Sequence, residues 1–223
     1  SLECSLTSEK LIFDRQWQLI ESEADVNPPY HHVLDALASQ IQEDLALLQF
    51  DSAYGNRLVA IHLCFPNHWG AESKIANNFT TIHKPVPGIE NINKKSSALL
   101  KAVVDKGPMV RFAWGLSTDR RLNHHPQPAA GQDQSLWHGR KFNANDPCLF
   151  LRVERQVCWG LHQSQSLLFT INTRFIDCHE IKKNRNRLSQ LISAISSMSK
   201  ESLSYKGLDE DKSAIINWLE SPH

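Results

Sequence analysis

CLFLRVERQVCW (residues 148–159) and SLLFTINTRF (residues 166–175) are two runs rich in strand-forming residues, joined by a short polar segment that begins at Gly160. Valine, isoleucine, phenylalanine and threonine are enriched in strands, and a glycine-containing link of this length suits a chain reversal. The pattern predicts a long antiparallel hairpin, which is the strongest strand pair in the chain.

Polar side chains alternate with apolar ones along this hairpin. Since successive side chains of a strand point to opposite faces, Arg152, Glu154 and Gln156 share one face. Pairing in register is expected to add Thr170, Asn172 and Arg174 to that face and to leave the other face apolar. Two interpretations remain open: a solvated face whose cross-strand ion pair contributes roughly 0.2–1 kcal/mol, or a polar pocket in which Glu154 holds a cation or moves a proton.

Three further strands and several helices complete the predicted architecture. The strands are residues 43–50, 58–65 and 109–116, and the turn-forming residues 51–56 join the first two as a hairpin. Apolar residues at helical spacing predict helices over 30–41, 71–78, 92–106, 188–195 and 215–219. About five antiparallel strands covered by helices predict an α+β fold.

The domain prediction divides the chain once. Residues 1–37 are expected to form an N-terminal arm and the start of a helix that pack on a single domain of residues 38–223. Residues 117–146 form a long polar connection, which is typical either of a lid or binding loop or of a disordered segment.

Composition and charge make several functional classes less favoured. Hydrophobic residues make up 41% and charged residues 22% of the chain, as in ordinary globular proteins. Lys plus Arg (24) equals Asp plus Glu (24), so no net charge favours nucleic acid or an anionic membrane. No apolar run approaches the roughly 20 residues that span a bilayer. The five cysteines form no CxxC pair, and no leader is visible, so we expect a reducing, cytoplasmic setting without disulfides or zinc knuckles.

Local motifs give little support to the common catalytic classes. HExxH, GxSxG, Walker A and GxGxxG patterns are absent from the sequence. A thiol nucleophile at Cys64 or Cys158 competes with inert packing, because both cysteines fall within apolar predicted strands.

His83 lies just before Pro85 and Pro87, at the end of a segment that begins with the strand 58–65. Each proline fixes its own φ and restricts the preceding residue, so this histidine is expected on a stiff backbone. Such a position suits a ligand or catalytic imidazole, although ordinary turns also contain histidines beside prolines.

Several blocks of sequence together carry a family resemblance. The blocks are QEDLALL (42–48), LCFP (63–66) with Trp69, IHKPVPG (82–88), LRVERQ (151–156) followed by LFTINT (168–173), and YKGL (205–208). In order and spacing they resemble the haem-dependent oxidative N-demethylase catalytic (alpha) subunit family, long described as a domain of unknown function. The likeness runs from about residue 38 to the C-terminus.

The resemblance implies a PAS-like antiparallel sheet that binds haem b. It also implies a monooxygenase reaction in which O2 and a small methylated amine such as dimethylamine give the shorter amine and formaldehyde. Electrons are expected from NADPH through a separate flavin and iron–sulfur reductase protein. Neither nucleic acid nor a membrane is an expected partner.

The resemblance also assigns roles to individual residues. His83 becomes the candidate axial ligand of the haem iron, and Glu154 the catalytic carboxylate that binds the protonated amine. Arg152 and Arg155 fall on opposite faces of a regular strand, so at most one of them is expected to meet a haem propionate. Trp114, with Phe112, is a candidate wall of the haem pocket, although core packing is the commoner role of such residues.

Two alternatives to an enzyme stay open. One is a non-catalytic haem or small-ligand sensor on the same PAS-like fold, which would need neither a reductase nor an amine-binding carboxylate. The other is a structural or interaction domain that binds no haem.

Overall fold

The computed structural model describes residues 1–3, 5, 8–23, 26–27, 29–51, 55–128, 130–131 and 141–222. The strands are β1 (Leu2–Glu3), β2 (Lys10–Phe13), β3 (Leu19–Ser22), β4 (Asp44–Asp51), β5 (Gly55–His62), β6 (Met109–Ser117), β7 (Phe150–Leu161) and β8 (Ser166–Asp177). The helices are α1 (Val33–Ala38), α2 (Phe79–His83), α3 (Glu90–Lys94), α4 (Ser96–Lys106), α5 (Cys178–Lys182), α6 (Arg185–Ser196), α7 (Lys200–Tyr205) and α8 (Lys212–Glu220).

Five strands form the main sheet, in the order β5-β4-β8-β7-β6, with every neighbouring pair antiparallel. Strands β7 and β8 are 12 residues long and pair along their whole length, from Phe150 opposite Asp177 to Leu161 opposite Ser166. The predicted α+β class and the five-stranded antiparallel sheet are therefore confirmed.

Residues directly opposite each other on paired strands share a face of the sheet. Glu154 lies opposite Thr173, and Gln156 lies opposite Ile171. Asn172 lies opposite Arg155, so it is on the other face. The prediction that Thr170, Asn172 and Arg174 join Glu154 on one face was wrong.

The cause of this error is the hairpin register. The link contains a 3₁₀ turn at His162–Ser164 and places Gln165 in the left-handed region (φ 47°), a geometry that the polar sequence of the link does not reveal. A shift of one residue in strand pairing exchanges the two faces of a strand. Each face of the hairpin is consequently mixed in polarity.

Helix α4 packs on the face that carries Glu154, which we call the α4 face. Leu100, Val103 and Val104 of α4 form a buried cluster with sheet residues Leu48, Leu58 and Leu167. Gly160 lies beneath this helix, where a Cβ atom would lie 2.4 Å from the carbonyl oxygen of Val104. The close approach of helix to sheet therefore requires glycine at this position.

The C-terminal helices cover part of the opposite face. Leu116 of β6 and Leu149 belong to a second buried cluster. Their partners include Leu191, Ile195, Ile215 and Leu219 from the helical faces that the sequence periodicity identifies, which confirms the two predicted C-terminal helices.

The shorter predicted helices differ from those observed. The helix predicted over 71–78 was wrong: this region has a 3₁₀ turn at Ala71–Ser73, and a helix begins only at Phe79. The side chain of Asn78 caps that helix by accepting a hydrogen bond from the backbone N–H of Thr81. The helix therefore begins at the residue after the one where the predicted helix ends.

Two other helical segments and the N-terminal arm also depart from expectation. The helix predicted over 30–41 is limited to α1, and the one predicted over 92–106 is broken at Lys95 into α3 and α4. The arm forms a three-stranded antiparallel sheet, β1-β2-β3, which the sequence pattern did not predict.

Some predictions fall on residues outside the described ranges. The centre of the 51–56 turn and the middle of the 117–146 connection, including His138, are among them. In the part of the chain that the structure describes, no helix is long and apolar enough to cross a membrane.

Candidate functional site

Three polar side chains of β7 stand in a row on the α4 face, beside three residues of β6. They are Arg152, Glu154 and Gln156, and their cross-strand partners are Gly115, Ala113 and Arg111, respectively. Period-two alternation along both strands produces this row. The α4 face therefore has a charged section in addition to its apolar cluster.

Arg152 is the buried residue at one end of this charged section. Its side chain is only 2% exposed and donates hydrogen bonds to the carbonyl oxygens of Phe65 (2.6 Å) and Leu122 (3.1 Å). Further contacts at 3.4 Å reach Thr173 Oγ1 and Glu154 Oε1. Because these acceptors use its guanidinium donors, Arg152 holds two loops on the sheet and has little capacity left for a ligand carboxylate.

The two loops that meet Arg152 are also joined to each other. His124 donates its backbone N–H to the Pro66 carbonyl (3.0 Å), and its ring stacks on His68 at 5.2 Å. Nε2 of His124 lies 2.8 Å from Asp119 Oδ1. Burial lowers the pKa of His124 although Asp119 opposes this effect, so a neutral imidazole donates to that carboxylate at neutral pH. The loops form a fixed border of the site.

Glu154 is the next residue of the row along β7 and lies opposite Ala113 of β6. Its side chain is 15% exposed, and Oε2 accepts a hydrogen bond from Gln156 Nε2 at 2.9 Å. Gln156 Oε1 in turn accepts from Arg111 Nε at 2.7 Å. This chain of hydrogen bonds fixes the Glu154 carboxylate while leaving lone pairs for a ligand.

Space is left above β6 at Gly115, the cross-strand partner of Arg152. Gly115 and Ala113 present little side chain above β6, and no described atom lies within 4 Å of the position that a Cβ at Gly115 would occupy. A ligand on the α4 face would therefore meet the backbone of β6, Glu154 and Arg111 without displacing a large side chain.

His83 borders the same face from helix α2. Phe79 and Ile82 of this helix contact the apolar cluster of the α4 face. Nδ1 of His83 lies 2.8 Å from the Phe79 carbonyl oxygen, so it carries the proton, and Nε2 has no hydrogen-bond partner among the described residues. Burial lowers the pKa of His83, and the charges of Arg111 and Lys74 act in the same direction. The ring is therefore neutral at neutral pH, with a free lone pair on Nε2.

His83 therefore has the features of a metal-binding histidine. A ligating histidine usually donates its other ring N–H to a carbonyl or carboxylate, which fixes the tautomer and the direction of the lone pair. The structure places His83 at the end of a short helix, whereas the sequence suggested only a proline-stiffened segment.

Trp114 and Arg155 are not part of this arrangement. Trp114 lies opposite Val153 and contacts the buried cluster beneath the C-terminal helices, and Arg155 lies on the same face, opposite Phe112. The structure thus brings His83, Arg152 and Glu154 to one face and leaves Trp114 and Arg155 on the other. The five predicted residues are therefore divided between the two faces of the sheet.

A separate cleft of about 570 Å³ lies between α1 and β5, and its lining includes Asp35 and His62. Next to it, Cys64 Sγ lies 3.8 Å from His62 Nδ1, and His62 Nε2 lies 3.2 Å from Asp35 Oδ1. Cys64 is exposed beyond the end of β5, so its predicted place within a strand was wrong. Desolvation and the charges of Asp44 and Asp35 raise the pKa of Cys64, which keeps the thiol protonated and weakly nucleophilic.

The sequence interpretation missed two charged residues of the α4 face. Arg111 alternates with Ala113 and Gly115, which would have placed it beside Gln156 once the β6–β7 register was known. Asp44 lies within one of the blocks that carry the family resemblance, but nothing in its pattern distinguished it from a residue at the start of a strand.

A comparison with known protein families gives a match that covers most of the chain. The family described as "Haem-dependent oxidative N-demethylase, alpha subunit-like" matches residues 3–216. The match begins in the N-terminal arm, well before the resemblance recognised from about residue 38, and contains strands β2 to β8 with the residues of the α4 face. The chain belongs to the haem-dependent oxidative N-demethylase, alpha subunit-like family.

Proposed function

We propose that this chain binds haem b on the α4 face through His83 and removes a methyl group oxidatively from a small amine such as dimethylamine. The products are the shorter amine and formaldehyde. The family name supports haem dependence and N-demethylation. The five-stranded antiparallel sheet with helices packed against it supports a PAS-like description of the fold.

One observation carries the haem proposal: the orientation of the His83 ring. Its Nδ1–H is held by the Phe79 carbonyl oxygen at 2.8 Å, and Nε2 is left to bind a metal. The donor set fits haem, because one neutral imidazole is a common axial ligand of haem iron. The described residues contain no cluster of three or more His, Cys, Asp or Glu side chains that would hold a bare metal ion instead.

The surroundings of His83 also fit a large, anionic ligand. The space above Gly115 would accept part of a planar group, and the Arg111 charge lies near enough to act on the pKa of His83. Arg111 binds Gln156 through Nε, which leaves its terminal N–H groups for a carboxylate. We assign the propionate contact to Arg111, because Arg152 is held by backbone carbonyls and Arg155 lies on the opposite face.

Glu154 is the amine-binding residue of this proposal. Its carboxylate is fixed by Gln156 and Arg152 and is largely shielded from water, where attraction to an alkylammonium is stronger than in bulk solvent. Glu154 would hold the ammonium N–H and accept its proton before the amine reacts.

Haem would supply the oxygen-activating chemistry of this reaction. One oxygen atom of O2 ends in formaldehyde and the other in water, and two electrons must come from outside the chain. We propose NADPH as their source, through a flavin and iron–sulfur protein. The words "alpha subunit" in the family name support a partner subunit. The four free cysteines within the described ranges fit the cytoplasmic location that we also propose.

Haemin titration of the purified protein tests the proposal. We expect a saturable Soret band at one haem per chain in the wild type, and a His83→Ala variant should bind haem at least about tenfold more weakly. Loss of the axial imidazole, rather than unfolding, is the expected cause, since His83 ends a short surface helix. Visible absorption gives the affinity, and far-UV circular dichroism reports folding.

A His162→Ala variant is the matched control for this titration. His162 is exposed in the hairpin link, so its removal should leave haem affinity unchanged. A wild-type protein that shows no Soret band at any haemin concentration would contradict the haem proposal. Equal loss in both variants would contradict the choice of His83.

Arg111→Gln is expected to weaken haem binding by about three- to tenfold, because it removes one partly exposed charge pair with a propionate. Arg155→Gln is the matched control, since Arg155 is the cross-strand neighbour of Phe112 on the opposite face. The haem dissociation rate, followed by transfer to apomyoglobin, measures both. If Arg155→Gln releases haem faster than Arg111→Gln, haem contacts the other face.

A haem sensor is the alternative function, and it would also use His83. A sensor needs no amine-binding carboxylate and would release no formaldehyde when dimethylamine, O2 and reductant are supplied. The fixed and shielded carboxylate of Glu154, together with the space left above β6 at Gly115, favours the demethylase.

A further inference from the structure

Asp44 has a buried carboxylate oxygen without a partner. The residue is 3% exposed, and its Oδ1 accepts hydrogen bonds from the backbone N–H groups of Cys64 (2.6 Å) and Phe65 (3.1 Å). Its Oδ2 makes no hydrogen bond to any described residue. A buried acceptor left in this state is unfavourable, and such atoms often mark a catalytic group or the site of a bound ion or water.

Strand register places Asp44 on the same face as Glu154. Asp44 of β4 lies opposite Ile171 of β8, and Ile171 lies opposite Gln156 of β7. Gln156 and Glu154 are two residues apart on β7, so all of these side chains leave the sheet on the α4 face. The backbones of β4 and β7 are about 10 Å apart at the usual strand spacing, which side chains of this length span when they lean together.

The charges around Asp44 favour the binding of a cation beside it. Burial raises the pKa of Asp44 and the charge of Glu154 adds to this effect, whereas the hydrogen bonds from Cys64 and Phe65 and the charge of Arg152 oppose it. Arg152 makes its hydrogen bonds to other groups. The positive charge of Arg152 therefore acts on both Asp44 and Glu154, but Arg152 makes no hydrogen bond to Asp44. A ligand with N–H donors and a positive charge would satisfy Oδ2 of Asp44.

We propose that Asp44 is the second amine-binding residue of the site: Oδ2 accepts one N–H of the substrate ammonium while Glu154 accepts another. This inference rests on the proposed function. It also defines the preferred substrate class, because a secondary ammonium has two N–H donors, a tertiary ammonium has one and a quaternary ammonium has none. Two acceptors on one face thus select secondary over tertiary methylammonium ions.

Calorimetric titration of the haem-loaded full chain with dimethylammonium and trimethylammonium chlorides tests this role. An Asp44→Asn variant keeps an Oδ1 for Cys64 and Phe65 but replaces the free acceptor by an N–H donor. We expect it to bind dimethylammonium about ten- to hundredfold more weakly than wild type, as for loss of a hydrogen bond between charged groups. Its affinity for trimethylammonium should change by less than about threefold, since that ion has a single N–H, which Glu154 accepts.

Asp211→Asn is the matched control. Asp211 also uses one carboxylate oxygen to hold the backbone N–H of a loop residue, Phe142, at 2.8 Å, but it lies beside α8 on the far side of the sheet. This variant should bind both amines as the wild type does. A Glu154→Gln variant in the same series shows whether the amine binds at the site that Asp44 and Glu154 are proposed to form.

The outcomes separate this inference from the proposed function. If Asp44→Asn binds dimethylammonium like the wild type while Glu154→Gln does not, the role of Asp44 is overturned and the proposed function stands. Equal losses for both amines would overturn the paired-donor assignment. A haem-loaded wild type that binds neither amine would overturn the proposed function and this inference together.

A measurement on the wild type decides the case if Asp44→Asn does not fold. Protein labelled with ¹³C at aspartate carboxyl groups should show an infrared band shift on addition of dimethylammonium, because Oδ2 gains a donor. Among the described residues, Asp44 is the aspartate that the proposed amine site contains, so an unchanged aspartate spectrum at saturating amine would overturn its role.

Discussion

Replacing Glu154 by glutamine is expected to lower the affinity of the haem-loaded protein for small alkylammonium ions by about thirty- to hundredfold, with haem content unchanged. Glutamine preserves the size of the side chain and an oxygen for Gln156, but it removes the charge that attracts the ammonium in a shielded site. Calorimetric titration with dimethylammonium chloride measures the loss, and the Soret band measures haem content.

Glu180→Gln is the control for this prediction. Glu180 is an exposed carboxylate of α5 that pairs with Lys183, so its neutralisation changes the net charge equally without touching the α4 face. Retention of wild-type amine affinity by Glu154→Gln would show that the ammonium binds elsewhere.

Arg152→Met is expected to lower the free energy of unfolding by about 3–5 kcal/mol, the usual cost of removing one partner of a buried charge pair. Methionine fills a similar volume but leaves Glu154 without its cation and the carbonyl oxygens of Phe65 and Leu122 without their donors. Urea unfolding followed by circular dichroism measures the change.

Arg155→Met is the matched control, since this arginine is three positions away on the same strand but is exposed on the opposite face. We expect a change within about 0.5 kcal/mol, as for most surface substitutions. Equal stability of the two variants would contradict the assignment of Arg152 as the anchor of the two loops.

The five strands of the main sheet and the hairpins β4–β5 and β7–β8 were predictable from local sequence, whereas the pairing of β4 with β8 was not. Runs of strand-forming residues with turn residues between them identify β4 to β8. Two strands joined by a short turn are expected to pair as an antiparallel hairpin, so the turn residues alone predict such a pair. The C-terminal helices were predictable for a similar reason, since Leu191, Ile195, Ile215 and Leu219 repeat at helical spacing and are all buried.

Register and short helices were not predictable from these patterns. Residues 170, 172 and 174 changed face because of a left-handed Gln165 in the hairpin link, which depends on tertiary geometry. The five-residue helix α2 is too short for a periodic signal, and it owes its position to the Asn78 cap and to contacts of Phe79 and Ile82 with the sheet.

The candidate site was accordingly predicted in part. His83 and Glu154 were identified separately, one from its prolines and one from strand alternation, and the structure places both on the α4 face. Arg111 and Asp44 belong to strands that reach Glu154 only through pairing across the sheet, which local sequence does not encode. Trp114 and Arg155 were predicted as haem contacts from the family resemblance, and the fold places them on the face opposite to the proposed haem site.

In the proposed function, haem on His83 and an amine on Glu154 occupy one site. The visible difference spectrum of the haem-loaded wild type during titration with dimethylammonium tests whether they do. We expect a saturable shift of the Soret band with the same affinity as calorimetry gives, and no shift over the same range in Glu154→Gln. A haem spectrum that stays unchanged at saturating amine would contradict the claim, because haem and amine would then bind apart.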